Sequence, residues 1–341
     1  MDQSRDGVKT RELVLGVEVD MLNRREAVGV ISEWVEIKSQ KSKVKSQNYG
    51  ASGGLIEESF RMKVVVTAYS EFFVRAEEDK EFRKVLEQAD LVLPDGVSVL
   101  AAVRYRELNF KFQARLAARQ VSSFKFKGWR QWYTETMRLM VGLWVGVKVI
   151  TGNVGEPVTG VWLVEELLRL ANEKKWRVFL LGGYGDTAEK LRSKIKSQKS
   201  KVQVKSNQVL STVSDQLSDV IVEADAGSQQ VENASEEENQ RVIKKINEFV
   251  PDLLLVAYGP GKQEKWLNRH KSELYASVGI GVGGTFDELS GKIGRAPVVM
   301  EKMGLKWLWR LAMEPKRWKR MWRAVGVFPY EVWREELKQD K

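Results

Sequence analysis

Cysteine is absent from the sequence and histidine occurs once, at His270. Without thiols the chain can form no disulfide, no thiolate metal site and no cysteine nucleophile. A single imidazole leaves no His-rich metal site and speaks against a Ser-His-Asp triad. Placed in an Asn-Arg-His-Lys run, His270 reads as a helix-end charge or a surface residue. Long apolar runs are missing too: no uncharged apolar run, Leu139 to Val147 included, approaches the ~20 residues a spanning helix needs. The polar start, MDQSRDGVKTRE, does not read as a signal peptide. These features lead us to expect a soluble protein of cytoplasmic type. At 341 residues it has room for one large domain or two.

What the chain has in excess is positive charge, Lys+Arg 56 against Asp+Glu 46. The excess is concentrated. Residues 104–150 hold ten Lys/Arg and two acids, and residues 295–341 hold twelve against six. The same segments carry Trp129, Trp132 and Trp144, then Trp307, Trp309, Trp318, Trp322 and Trp333. Indole rings among basic residues suit an anionic lipid surface. No helix-turn-helix, zinc-finger or RNA-recognition signature accompanies the charge, so membrane is favoured over nucleic acid as the partner. Within 121–147 the aromatic and apolar residues fall at three- or four-residue steps, which predicts an amphipathic helix or hairpin with Lys125, Lys127, Arg130 and Arg138 at its margins.

One tract, Ile37-Lys-Ser-Gln-Lys-Ser-Lys-Val44, recurs at Ile195–Val202. Tracts of this composition bury little apolar area and read as surface insertions near 37–50 and 195–240, with 207–240 a long surface excursion. Between them short apolar runs alternate with amphipathic stretches. Strands are expected at 64–66, 91–93, 176–181, 253–257 and 278–282. Helices are expected at 70–88, 163–171, from Gly182-Gly183 through 191, at 240–249 and at 261–271. This alternation predicts an α/β fold, a Rossmann-like and mostly parallel sheet with helices on both faces. The expected core is 1–103 plus 151–294, with 104–150 a basic aromatic insertion and 295–341 a basic helical C-terminal appendage.

In such sheets ligands bind beyond the carboxyl ends of the strands. Pro94-Asp95-Gly96, Gly182-Gly183, Gly259 to Glu264 and Gly283 to Asp287 all fall there. Gly279-Ile-Gly281-Val-Gly283-Gly284 matches G-x-G-x-x-G, but its first two glycines lie inside the strand and no acid-tipped second strand follows, which disfavours a dinucleotide. Gly261-Lys262 is followed by Gln263, so there is no Walker A motif. There is no clean Asp-x-Asp of a metal-dependent phosphate site, although Glu18-x-Asp20 and Glu223-x-Asp225 come near it. Asp95 remains, either a turn-former or a general base on a bound hydroxyl.

In order, the chain carries Ala89-Asp-Leu-Val-Leu-Pro-Asp-Gly96, Val178-Phe-Leu-Leu-Gly-Gly183, Pro251 to Gly259, Lys262-Gln-Glu-Lys-Trp266, Gly281-Val-Gly-Gly-Thr-Phe-Asp287, Arg295-Ala-Pro297 and Gly304 to Pro315. These residues resemble the WecG/TagA/CpsF family of glycosyltransferases over roughly 12–36, 63–103 and 158–323. The resemblance implies an inverting, metal-independent transfer of N-acetylmannosamine or a related hexosamine from a UDP donor. The acceptor would be a polyprenyl-diphosphate-linked sugar on the cytoplasmic membrane face. No cofactor is implied, and the oligomeric state stays open. By the same resemblance Asp95 is the base, Thr67 lies near a sugar and Gln263 belongs to the Lys-Gln-Glu loop. Asp287 lies near the nucleoside, while Arg310, Arg317 and Arg320 face the diphosphate. Gly182, Gly183, Gly259, Lys262, Glu264 and Gly284 complete the implied substrate loops. On a helix the arginines would stand at i, i+7 and i+10 on one face. Two positions depart from the family, Tyr69 for an asparagine and Pro157 for an arginine. They keep open a degenerate UDP-sugar binder, with a nicotinamide oxidoreductase as a further alternative.

Overall fold

The computed structural model describes residues 11–48, 61–118, 135–136, 138, 140–142, 144–148, 155–197, 220–228, 230–297, 299–300 and 305–338, with backbone only at 39–48 and 112–118. Trp129, Trp132, Lys125, Lys127, Arg130 and the repeat at 198–202 lie outside the described residues.

A short hairpin, β1 (Arg11–Val14) and β2 (Val17–Asp20), turns on Leu15 and Gly16, both at positive φ, as two-residue hairpins require. It precedes a six-stranded sheet: β3 (Lys63–Ala68), β4 (Leu91–Pro94), β5 (Arg177–Gly182), β6 (Ile221–Asp225), β7 (Leu253–Ala257) and β8 (Val278–Gly281). The order is β4-β3-β8-β7-β5-β6 and every pairing is parallel. The expected Rossmann-like layering is therefore present.

Because side chains alternate across a strand, each strand feeds two cores. Leu254 and Val256 of β7 join Val64, Val66 and Phe179 beneath helices 70–78, 80–87, 236–249 and 262–270. Leu253 and Leu255 join Val65, Leu91 and Leu180 beneath helices 24–48, 160–174 and 187–197.

The central strand β8 has Gly279 and Gly281 where its neighbours have large side chains. A Cβ on Gly279 would sit 2.8 Å from Leu267 Cδ2, and one on Gly281 would sit 2.6 Å from Glu264 Oε1. These glycines let helix 262–270 lie against the sheet, so half of the G-x-G-x-x-G match is a packing device. Gly281→Ala is expected to cost about 1–3 kcal/mol, as overpacked cores do, read as a lower denaturation midpoint at unchanged m-value.

Several expectations need correction. The predicted helix 70–88 is two, 70–78 and 80–87, broken where the Asp79 carboxylate accepts from Phe82 N at 3.0 Å and caps the second. The helix placed after Gly182-Gly183 begins only at Thr187, because Gly182, Gly183 and Gly185 all hold positive φ. The Lys/Ser/Gln tract near 37–50 is helical to Asn48. The excursion expected over 207–240 gives way at Val220 to β6, whose Val222 and Ala224 point inward, and helix 236–249 starts inside it. His270 is buried against Trp266, with Nδ1 3.1 Å from Glu273. It ends a helix but is no surface residue.

The basic segments are tied into the fold. Helix 97–118 runs across residue 103. Phe328 of the C-terminal helix 328–338 is buried, 5.8 Å from the ring of Phe73. Glu336 accepts from Arg106 Nε at 3.1 Å and Asn109 Nδ2 at 2.5 Å, and Arg138 donates to its carbonyl at 3.2 Å. Arg138 is thus buried, not at an amphipathic margin.

Candidate active site

Asp95 follows the last residue of β4, and its amide donates to Ala68 O at 2.8 Å, which ties the ends of β4 and β3 together. Beside it Val158 N donates to Pro94 O at 3.1 Å, which brings the start of helix 160–174 to the same point. Thr159 caps that helix, and Gly160 N donates to Asp95 Oδ2 at 3.2 Å. The amides at a helix start favour an anion there. A Cβ on Gly160 would lie 3.2 Å from Thr285 Oγ1, a tight contact, and 3.4 and 3.6 Å from Thr67 Oγ1 and Asp95 Oδ2, so the helix start packs closely against all three groups.

Burial pushes the Asp95 carboxyl up to about 6. The Gly160 amide and the Lys306 charge oppose that shift, and the Glu288 charge adds to it. A carboxylate poised there is ionised at neutral pH yet basic enough to accept a proton in a transition state.

The next strand end supplies the neutral wall. Thr67 Oγ1 donates to Gly281 O at 3.3 Å, and Gly283 N donates to Gln263 Oε1 at 2.9 Å. Gln263 Nε2 donates in turn to Glu264 Oε1 at 2.7 Å. The other carboxylate oxygen of Glu264 accepts from Gly261 N at 2.6 Å. Glu264 is fully buried, which pushes its carboxyl up to about 7, against the Gln263 amide and two backbone amides. It fixes Gln263 from behind and does not reach the cleft.

The third wall comes from the C-terminal segment. Arg310, Arg317 and Arg320 line the cleft with Lys306, Trp307 and Met321. They do not share one helix. The helix ends at Met313, Pro315 starts a 3-10 turn through Arg317, and a new helix covers Trp318–Trp322. Proline cannot continue the ladder, and the bend it imposes is what turns all three side chains to one cleft. Arg310 pairs with Glu314 at 3.3 Å and Glu288 at 3.5 Å, Arg317 with Glu314 at 3.2 Å, and Arg320 with Glu71 at 2.6 Å. Arg320 also stacks over Tyr69 at 4.8 Å and bonds its hydroxyl. Burial lowers Arg320 to about 10, leaving it charged at neutral pH.

The structure thus gathers Asp95, Thr67, Gln263, Gly284 and the three arginines around one cleft. It places the other sequence-derived residues elsewhere. Lys262 pairs with Glu232 at 2.9 Å. Gly259 and Gly182 stand at the neighbouring ends of β7 and β5, where the Tyr258 ring packs against Gly182. Asp287 is not among the residues that line the cleft; it lies 3.5 Å from Thr187 Oγ1 and 3.4 Å from Lys292, and Thr187 packs beside Gly183. Glu18 and Asp20 bind Arg11, while Glu223 binds Arg192 and Asp225 binds Arg241 and Lys245. Pro157 carries the chain past Arg24, whose Nε donates to its carbonyl at 3.3 Å.

Glu288, Lys306 and Thr285 were missed by sequence reasoning. Lys306 stands four residues before Arg310, a helical spacing that could have flagged it. Glu288 had no such signal beyond adjacency to Asp287.

A family profile described as "Glycosyl transferase WecG/TagA/CpsF family" matches residues 13–121 and 140–341. The N-acetylglucosaminyldiphosphoundecaprenol N-acetyl-beta-D-mannosaminyltransferase of Bacillus subtilis (strain 168) is 28% identical over 273 residues, 80% of each chain. A protein of the same name from Staphylococcus aureus (strain MW2) is 25% identical over 184 residues, 54% of this chain and 63% of its own length.

Proposed function

The chain belongs to the WecG/TagA/CpsF family of glycosyl transferases, and on that premise we propose that it moves N-acetylmannosamine or a related hexosamine from a UDP donor to a polyprenyl-diphosphate-linked sugar. The observation that carries the proposal is the meeting of the strand-end carboxylate of Asp95 with three arginines across a single cleft. Asp95 takes the proton of the acceptor hydroxyl as its oxygen attacks the anomeric carbon of the donor from the face opposite the diphosphate. The bond from that carbon to the diphosphate oxygen breaks, and the configuration inverts. Charge then collects on the departing UDP. Guanidinium groups match phosphate oxygens with paired N–H donors and stay charged, so Arg310, Arg317 and Arg320 can take the part a metal plays elsewhere. Gln263 and Thr67 hold the sugars, and the Gly183–Asp287 side of the rim takes the nucleoside.

Mass spectrometry of products from a panel of UDP-sugars, with a short polyprenyl-diphosphate acceptor and excess EDTA, tests this reading. A hexosamine transferred in the chelator is the expected result. Activity that vanishes and returns with Mg²⁺ or Mn²⁺ would overturn the metal-free route. UDP-sugar retention without product would leave a binding protein.

We further propose that the protein works at an anionic membrane surface on the cytoplasmic side. No described helix is long and apolar enough to cross a membrane. Trp318 and Trp322 are 58% and 65% exposed beside Lys316, Lys319 and Arg323, and Trp144, Met140 and Val147 are exposed on the other basic segment. The remaining tryptophans of the C-terminal segment serve the fold: Trp307 lines the cleft, Trp309 Nε1 donates to Gly294 O at 3.0 Å, and Trp333 packs on the core. Basic residues near anionic lipid contribute roughly 1 kcal/mol each, so several suffice for reversible docking. Sedimentation with phosphatidylglycerol vesicles should fall with salt and fall several-fold in Trp318→Ala/Trp322→Ala. Vesicle binding equal to wild type in that double variant would argue against this face.

A further inference from the structure

Glu288 is a second carboxylate in the cleft, and its side chain is 3% exposed. It stands in the short helix 285–289 that leaves β8 through Gly283-Gly284. Its Oε1 lies 2.9 Å from Lys306 Nζ and its Oε2 lies 3.5 Å from the Arg310 guanidinium Nη1. Lys306 and Arg310 are four residues apart, hence on one face of helix 306–313. No residue of that helix is buried. Apolar packing therefore does little to seat it, and the ion pairs to a buried carboxylate, with the Trp309 Nε1 bond to Gly294 O, are the contacts that give it a register. Gly284 completes the seat, since a Cβ there would lie 2.7 Å from Arg310.

Glu288, Lys306 and Asp95 line the same cleft, so the pair that seats the helix also sets the field at Asp95. We propose that Glu288 is a positioning residue for the transfer reaction: it seats helix 306–313 through Lys306 and Arg310, and the opposed charges of Glu288 and Lys306 set how readily Asp95 takes a proton. This inference rests on Asp95 being the base. The other charges facing Asp95 are Arg310, Arg317 and Arg320, with Glu71 of helix 70–78 behind Arg320; helix 160–174 offers only the Gly160 amide, and β3 only the Thr67 hydroxyl.

The signs follow from charge alone. Removing the Glu288 anion makes Asp95 easier to ionise and moves the acid limb of kcat/KM to lower pH. Removing the Lys306 cation makes ionisation harder and moves the limb to higher pH. The experiment is the pH profile of kcat/KM for wild type, Glu288→Gln, Lys306→Met, Lys306→Arg and Asp95→Asn, on a water-soluble short-chain acceptor. Shifts of about half to one pH unit are expected, down in Glu288→Gln and up in Lys306→Met, with Lys306→Arg at the wild-type position. Limbs that do not move, or that move in the same direction, would overturn the proposal. Should Glu288→Gln fail to fold, the contrast between Lys306→Met and Lys306→Arg decides alone, because that side chain is partly exposed. Asp95→Asn with wild-type turnover would instead sink the base assignment, a different failure with its own readout.

Discussion

Asp95→Asn is expected to slow turnover by about 10²–10⁴-fold, the range general bases contribute, while UDP binding survives. The amide keeps the shape of the carboxylate and can still accept from Gly160 N, so the strand-end geometry should persist. What it loses is the capacity to take a proton. The wild-type profile carries a matching signature. Burial holds Asp95 at about 6, so kcat/KM should fall as pH drops through that value and the carboxylate is protonated. The same limb should be missing from the residual activity of the variant. Near wild-type turnover, or an acid limb that survives the substitution, would take the proton-transfer role away from Asp95.

Replacing Arg310, Arg317 and Arg320 together by Gln should cost at least about 10³-fold in kcat/KM on a soluble acceptor, since hydrogen bonds to charged groups contribute about 1.5–3 kcal/mol each. The sum will fall short of three independent losses, because Glu314 bridges Arg310 and Arg317 and the sites are coupled. Substitution is a cleaner test than truncation. Removing residues 295–341 would also remove Phe328 and Val332 from the core and Glu336 from its bonds to Arg106 and Asn109. A soluble acceptor separates catalysis from docking at lipid. If the triple variant keeps kcat/KM within tenfold of wild type, the arginines do not carry the diphosphate charge.

The layered fold was legible in the sequence because burial on both faces leaves a local trace. Leu253–Ala257 is a run of five apolar residues between Pro251-Asp252 and Gly259, too short for a helix and bounded by turn residues, which reads as a strand buried on both faces. The same logic put Asp95 at a strand end. Strand β6 left a weaker trace: as an edge strand it exposes Ile221, and Glu223 faces solvent-side Arg192, so its alternation was lost among Ser, Gln and Glu.

The composition of Gly279 and Gly281 was visible, but their purpose was not. The same spacing serves a phosphate turn or a close helix, and only the approach of Leu267 and Glu264 distinguishes the two. The arginines show the limit from the other side. Their spacing suggested one helical face, yet they meet because Pro315 bends the chain. Burial and periodicity are local properties that a stretch of sequence encodes by itself. The partners of a buried charge are not, because Asp95 with Gly160 and Arg320 with Glu71 are joined only when segments far apart in the chain meet at one rim.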